Sequence, residues 1–511
     1  METMKDLSQY FSNLSAAIYQ GKTEYLGVPP YDASERYPEY DTNFGISGTH
    51  NPAYEGVRGV LYLLGLDETH YGTPEWNPLK DVITPGDTVV IKPNFVLSDH
   101  YKGGNLFSII THPSVIRAVV DYAYKALGGD GRIIIADTPQ MDCDFQELLE
   151  RTHLLSISDL YRRKFGFEIP IRDLRNFWFK YKDENYVASQ ENRKKLPGDP
   201  EGSVVVDLGQ RSAFAAVQNT NFYGADYNRD ETITHHMNGR HEYMVSNTIL
   251  SADVLISVPK LKVHKKVGVT LNAKGLVGTI TNKNYLVHYT LGTPEKGGDQ
   301  FPANFLKGKA KLIVKTQRFL YDALLAKQSR FGSKLFRLAY EPYRKFLKPF
   351  LKRTTEELVL FDGGNWHGND SAWRMVSDLM KVSVYADKRG VLQQSPQRKV
   401  FSVIDGIVGG EGNGPLFPDE RRAGVVISGY NHLGVDIAAA RLMGFDWQKL
   451  PWVMDLLHNK HFNFFTSEPE NIRTVSNRNE LTDIMHSDNS FLSFVPHPGW
   501  VGHIEIKLRP K

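Results

Sequence analysis

The sequence predicts an α/β fold: a mostly parallel sheet flanked by helices, with a discontinuous core. Three observations carry that expectation. Short apolar runs stand before Lys92, before Asp137 and within 251–263, with the length and β-branched content of buried strands. A helix-spaced segment separates the first two. Polar residues close each run at its C-terminal end, where open parallel sheets bind their ligands. The core is expected in two parts, 81–300 and 361–470. An N-terminal extension (1–80), a basic helical insert (301–360) and a C-terminal segment (471–511) would decorate it.

Each element has a local reason. Residues 1–80 are rich in Tyr, Gly and Pro and show little periodicity beyond 57–66, which reads as an extension wrapping the core. TPGDTVVIKPNF is a turn followed by a strand ending near Asn94. THPSVIRAVVDYAYKALGG has apolar spacing of three and four. Thr111 or His112 can cap it, Pro113 suits its first turn, and Gly128-Gly129 stops it. GRIIIADTP is a second strand ending at Asp137, so the three form a βαβ unit with a right-handed crossover. Residues 145–250 are more polar and read as a surface excursion. SADVLISVPKLKV returns to the core, KVFSVIDGI is a further strand before a glycine-rich turn, and AGVVISG leads into the helical HLGVDIAAARLMG, stopped by Gly444.

Composition bounds the function. The chain has 511 residues, 41% hydrophobic and 23% charged, which excludes collagen, coiled coil and wholesale disorder. Cys143 is the single cysteine, so neither a disulfide framework nor an iron–sulfur cluster is expected. The first residues carry no apolar signal region, and no run reaches the ~20 residues that span a bilayer. A cytoplasmic location follows as the expectation. Charge is uneven: residues 303–353 hold fourteen Lys and Arg against Asp322 and Glu341 alone, while the remainder is net acidic.

The strand ends supply the candidate site: Lys92 and Asn94, Asp137, Lys260 and Lys262, and Asp405. Strand ends that merely meet solvent are also polar, so a shared pocket is the discriminating fact. Strand alternation puts Lys260, Lys262 and His264 on one face, and three such groups need an acidic neighbour or an anionic ligand. Thr270, Asn272 and Lys274 follow in a glycine-flanked stretch that can add backbone amides. In IDGIVGGEGNGPL, Asp405 and Glu411 flank the glycines as an acid/base pair, a divalent-cation site or the ends of a tight turn. The catalytic candidates are therefore Asp137, His264, Asp405 and Glu411. The binding candidates are Lys92, Asn94, Lys260, Lys262, Thr270, Asn272 and Lys274. His112 and Asp436 read as supports of helix N-termini, and Cys143 lacks a paired histidine at any recognisable spacing. The run Trp366, His367, Asn369, Asp370 and Trp373 is either a stacking wall for a sugar or a helix entrance.

The segments VVIKPNF, THPSVIRAVV, IIIADTP, ADVLISVPKLKVHKKVGVTLNAKGLVG and IDGIVGGEGNGPL…VDIAAARLMG resemble, in that order, the domain-of-unknown-function 362 (DUF362) family. The likeness spans roughly 85–290 and 395–445. It implies the fold and the motif positions and no reaction. Members often carry ferredoxin-type cysteine clusters, which Cys143 alone cannot supply, so an electron-transfer role does not carry over. Cysteine-poor relatives look like cytoplasmic bacterial proteins, some linked to surface-polysaccharide pathways.

Two functions are expected from these residues. One is an enzyme on an anionic small-molecule or sugar-linked substrate, of unassigned reaction, with a divalent cation as an optional cofactor. The other is a non-catalytic binding or scaffold protein docking on a polyanion or membrane surface through its basic insert. The insert's apolar residues recur at helical spacing among its cations, broken near Gly332 and Pro342, which suits peripheral membrane contact through 307–353. Intramolecular packing of these helices is the bland alternative. Nucleic acid fits less well, because the acidic remainder repels it and no nucleic-acid motif is present.

Overall fold

A computed structural model describes residues 7, 11–179, 193–226, 228–324, 331–332, 334–336, 338, 358–487, 489 and 491–507. The main sheet contains β1 (Ala16–Gln20), β2 (Thr88–Pro93), β3 (Arg132–Asp137), β4 (Ile171–Asp173), β5 (Val254–Val258), β6 (Lys260–His264), β7 (Lys399–Glu411), β8 (Asp419–Gly429) and β9 (Thr474–Ser476). Their order across the sheet is β9-β1-β8-β7-β5-β2-β3-β4, with β6 continuing β5 alongside β7. Among these nine strands all pairings are parallel except those that β8 makes with β1 and β7, and the two-residue strand Gly268–Val269 adds an antiparallel pairing to β6. The expected α/β architecture is therefore present.

Strand alternation builds two cores, one on each face. Ile133, Ile135, Val89, Ile91, Phe401 and Val403 pack into one apolar cluster. Ile134, Ala136, Val90, Val400 and Ile404, their neighbours in sequence, pack into the other. The first face is covered by helices α1 (Pro52–Leu63) and α2 (Pro113–Leu127). Against the second lie α3 (Leu271–Gly275), α5 (Ala372–Tyr385) and α6 (His432–Met443), and α4 (Gly308–Leu324) belongs to the insert. The signals read for α2 hold: the His112 side chain accepts from the Ser114 N–H, Pro113 opens the helix, and Gly128 ends it at φ 61°.

Three expectations change. The N-terminal extension is part of the sheet: β1 pairs with β8 from Ala16↔Gly429 to Gln20↔Val425 and with β9 on its other edge. The C-terminal segment supplies β9 and the buried Trp500, whose indole N–H donates to the Lys265 carbonyl at 2.7 Å. The glycine-rich run after Asp405 is strand, because β7 continues for 13 residues to Glu411. Glycine is needed there for close packing, since a Cβ on Gly410 would lie 2.5 Å from the Ser108 carbonyl oxygen. Part of the polar excursion (180–192) and the break near Pro342 lie outside the described residues. Before that break, the insert forms α4, 17 residues long, and Gly332, the other expected break, is helical. Among the described residues no helix is long and apolar enough to cross a membrane.

Candidate functional site

The carboxyl ends of β2, β3 and β6 open on a cleft of about 270 Å³. Six of the expected residues line it: Asn94, Asp137, Lys262, His264, Thr270 and Lys274. Asp137 is held in place, accepting from Lys92 Nζ at 2.9 Å and from the Phe95 N–H at 2.7 Å. Lys92 thus stands behind the cleft as the partner of Asp137. Gly278 makes room for this pair, because a Cβ there would sit 1.8 Å from Asp137 Oδ1.

The cleft is dominated by cations. Lys262, Lys265, Lys266, Lys274 and Lys283 line it, and none forms an ion pair among the described residues. Backbone oxygens hold three of them. Lys262 donates to the Ile109 carbonyl at 2.8 Å, Lys283 donates to the carbonyls of Val277 at 2.9 Å and Thr138 at 3.0 Å, and Lys266 donates to the Gly363 carbonyl. Burial and the neighbouring positive charges depress these groups. Lys262 and Lys283 fall well below the usual lysine range, Lys266 drops to about 7 and Lys274 to about 8. His264 and His288 are also pushed well down by burial and by Lys274, so both rings are neutral. The Lys266 N–H donates to His264 Nδ1 at 3.1 Å, which leaves the ring proton of His264 on Nε2.

Three residues lining the cleft carry a buried polar atom, Asn94 Oδ1, Thr270 Oγ1 and His288 Nε2, that has no hydrogen-bond partner among the described residues. Leaving such an atom unsatisfied costs ~1–3 kcal/mol, which a bound ligand can recover. Backbone strain sits beside them, with Leu271 at φ 47° in the left-handed region that a leucine seldom adopts. Asp436 holds that turn: its carboxylate accepts from the Asn272 and Ala273 N–H groups at 2.9 and 2.8 Å and from Asn272 Nδ2 at 2.7 Å. It therefore supports a helix N-terminus as expected, but that of α3 rather than of its own helix α6. Burial pushes its carboxyl up to about 7.

The other expected residues lie elsewhere. Lys260 pairs with Asp405 at 2.9 Å, both fully buried, and Tyr25 bridges them. Asp405 and Glu411 stand six residues apart on β7, about 20 Å along a strand, so they form no acid/base pair. Glu411 instead accepts from the Val495 N–H at 3.0 Å. Asn272 is buried against Asp436 and Ser402, and acts as a support of the turn. Asp405, Glu411 and His264 do not converge, and among the described residues no group of three or more His, Cys, Asp or Glu is placed to hold a metal ion. Cys143 is buried, and burial raises its thiol well above the ordinary value, which disfavours the reactive thiolate. The Trp366–Trp373 run is a helix entrance: Asn369 donates to the Lys266 carbonyl at 2.7 Å, and Ser371 is the N-cap of α5.

Lys265, Lys266, Lys283 and His288 are cleft residues that the strand-end reading misses. A signal for them exists. Between Asp253 and Glu295 the chain carries six lysines and no Asp or Glu, a charge bias that no local partner offsets. No curated protein matches the chain. The carboxyl ends of the cleft-forming strands and α3 fall within residues 89–167 and 199–441, which match the Domain of unknown function (DUF362), and the chain belongs to that family.

Proposed function

We propose that the cleft binds a compact, multiply charged anion, a small or sugar-linked molecule bearing phosphate or several carboxylates, and that the protein is an enzyme acting on it. The observation that carries this reading is five cleft lysines that have no carboxylate within ion-pair distance among the described residues. Desolvated ammonium groups repel one another and stay protonated only at a cost that a bound anion removes. Asn94, Thr270 and His288 add unsatisfied polar atoms that can orient the ligand. Neutral His264 and the partly deprotonated amines of Lys266 and Lys274 supply groups able to carry protons near neutral pH.

Pyrophosphate and citrate are suitable probes. At ~100 times its dissociation constant, either should add about 2.7 kcal/mol of stability in a thermal-shift measurement. Replacing Lys283 or Lys274 by Met should weaken binding by about tenfold or more, the equivalent of one charge-assisted hydrogen bond. Affinity should also fall as pH rises from 7 to 9, because the anion prefers the protonated amines and Lys266 and Lys274 lose protons over that window. Absence of stabilisation by both probes, or affinity indifferent to both substitutions, contradicts the reading.

A second surface favours a second, compatible role. On α4, Leu312 and Phe319 are 67% and 70% exposed, beside the exposed Lys311 and Lys315. Apolar groups seven residues apart among cations suit an anionic lipid surface.

A further inference from the structure

Resting on the anion-binding reading above, we infer that Lys274 is a nucleophilic amine and that the ligand is a carbonyl compound bearing carboxylate or phosphate, which Lys274 captures as an imine. Geometry separates this lysine from its neighbours. Lys92, Lys262, Lys266 and Lys283 each donate to an oxygen of the protein, whereas Lys274 Nζ has no acceptor among the described residues. Lys265 also lacks an acceptor among the described residues, yet it feels the carboxylate of Asp362, whereas Lys274 feels Lys92 and shares mutual repulsion with the other cleft lysines. Lys274 is also the hub of the cluster, because its charge acts on Lys262, Lys266, Lys283, His264 and His288 alike. A desolvated amine beside other cations is the environment in which lysine becomes a nucleophile near neutral pH. Burial and Lys92 lower it to about 8, which raises its free-amine fraction at pH 7 roughly a hundredfold or more over an ordinary lysine.

The surrounding groups complete the chemistry. Lys262 and Lys283, tethered to backbone oxygens, hold the anionic group of the substrate. The Lys274 nitrogen pair attacks the carbonyl carbon, the C–N bond forms, and the carbonyl π pair moves to oxygen, which takes up a proton. The resulting carbinolamine gives up a proton from nitrogen and loses its hydroxyl as water. Amine and carbonyl become imine and water, with no further reactant. His264 Nε2–H and the unpartnered His288 Nε2 are the proton carriers the cleft offers for these transfers. The short helix α3 keeps the amine in position, fixed at its start by Asp436.

Glyoxylate, the smallest carbonyl carboxylate, tests this with cyanoborohydride at pH 7, because reduction of the imine leaves a carboxymethyl group that peptide mass spectrometry locates. Lys274 should be modified at least about tenfold faster than the exposed Lys311 and Lys315, and pyrophosphate should protect it. Lys274→Arg, which keeps the charge, should lose the label at 274 while still being stabilised by pyrophosphate. If pyrophosphate stabilises the protein but Lys274 reacts no faster than Lys311, the imine inference is wrong and the anion site stands. If neither compound engages the protein, both readings fall together.

Discussion

Lys260 and Asp405 show how a charged pair at two strand ends can serve the fold rather than a ligand. Lys260 donates to Asp405 Oδ2 at 2.9 Å and to the Tyr25 hydroxyl at 2.7 Å, and that hydroxyl donates to Asp405 Oδ1. The His112 N–H donates to Asp405 as well, at 2.9 Å, and the His112 ring stacks on Tyr25 at 4.0 Å. Burial and the Asp405 charge raise the Tyr25 phenol well above its ordinary value, so it remains a donor. Every oxygen of the carboxylate is satisfied, which makes the network costly to break. Asp405→Asn should leave the Lys260 ammonium buried without a countercharge and lower stability by about 3–5 kcal/mol in guanidinium unfolding. A loss below about 1 kcal/mol would mean that the pair does not anchor the extension to the core.

At the scale of elements, the cleft depends on how closely the loop from α3 to Gly278 approaches the ends of β2 and β3. The Thr138 N–H donates to the Gly278 carbonyl at 2.9 Å, and the missing side chain of Gly278 leaves space for the Lys92–Asp137 pair. Gly278→Ala would drive a methyl group into Asp137 and Lys92, 1.8 and 2.5 Å away. The expected cost is about 3 kcal/mol, overpacking combined with disruption of a buried pair, together with loss of anion binding. Gly275, three residues earlier, makes the opposite case. It lies in α3, and a Cβ there would meet Pro259 at an ordinary 3.7 Å, so Gly275→Ala should be neutral or slightly stabilising. Paired denaturation curves decide this, and equal losses in the two variants would show that the close approach at Gly278 is not what shapes the site.

The whole molecule is an acidic body with one strongly basic segment. Each cation near an anionic leaflet contributes about 1 kcal/mol, so a few residues along α4 suffice for reversible attachment. The intact protein should therefore sediment with phosphatidylserine vesicles at low ionic strength and be released as salt rises. Replacing Leu312 and Phe319 by Glu, or deleting 306–352, should abolish sedimentation while leaving the sheet intact, since α4 contributes no strand to it. An intact protein that stays in the supernatant at low salt would reduce α4 to a structural arm.

Local signals in the sequence determined the parts of this protein that depend on neighbours along the chain. The βαβ unit from Thr88 to Asp137, its His112 and Gly128 boundaries, and a polar site beyond the strand ends all follow from apolar periodicity and capping chemistry. Tertiary structure decided what depends on partners far away. Alternation placed Lys260 and Lys262 on one face, but the register of β6 against β7 shifts between them, from Lys260↔Asp405 to Lys262↔Gly410. That irregularity sends one lysine to a buried ion pair and the other to the cleft. β1 and β9 are too short and aperiodic to announce themselves, and they are strands because β8 presents an edge on which their backbone groups pair. Lys283 and His288 reach the cleft only when the chain after α3 folds back over β3, a long-range contact that no spacing within the sequence encodes.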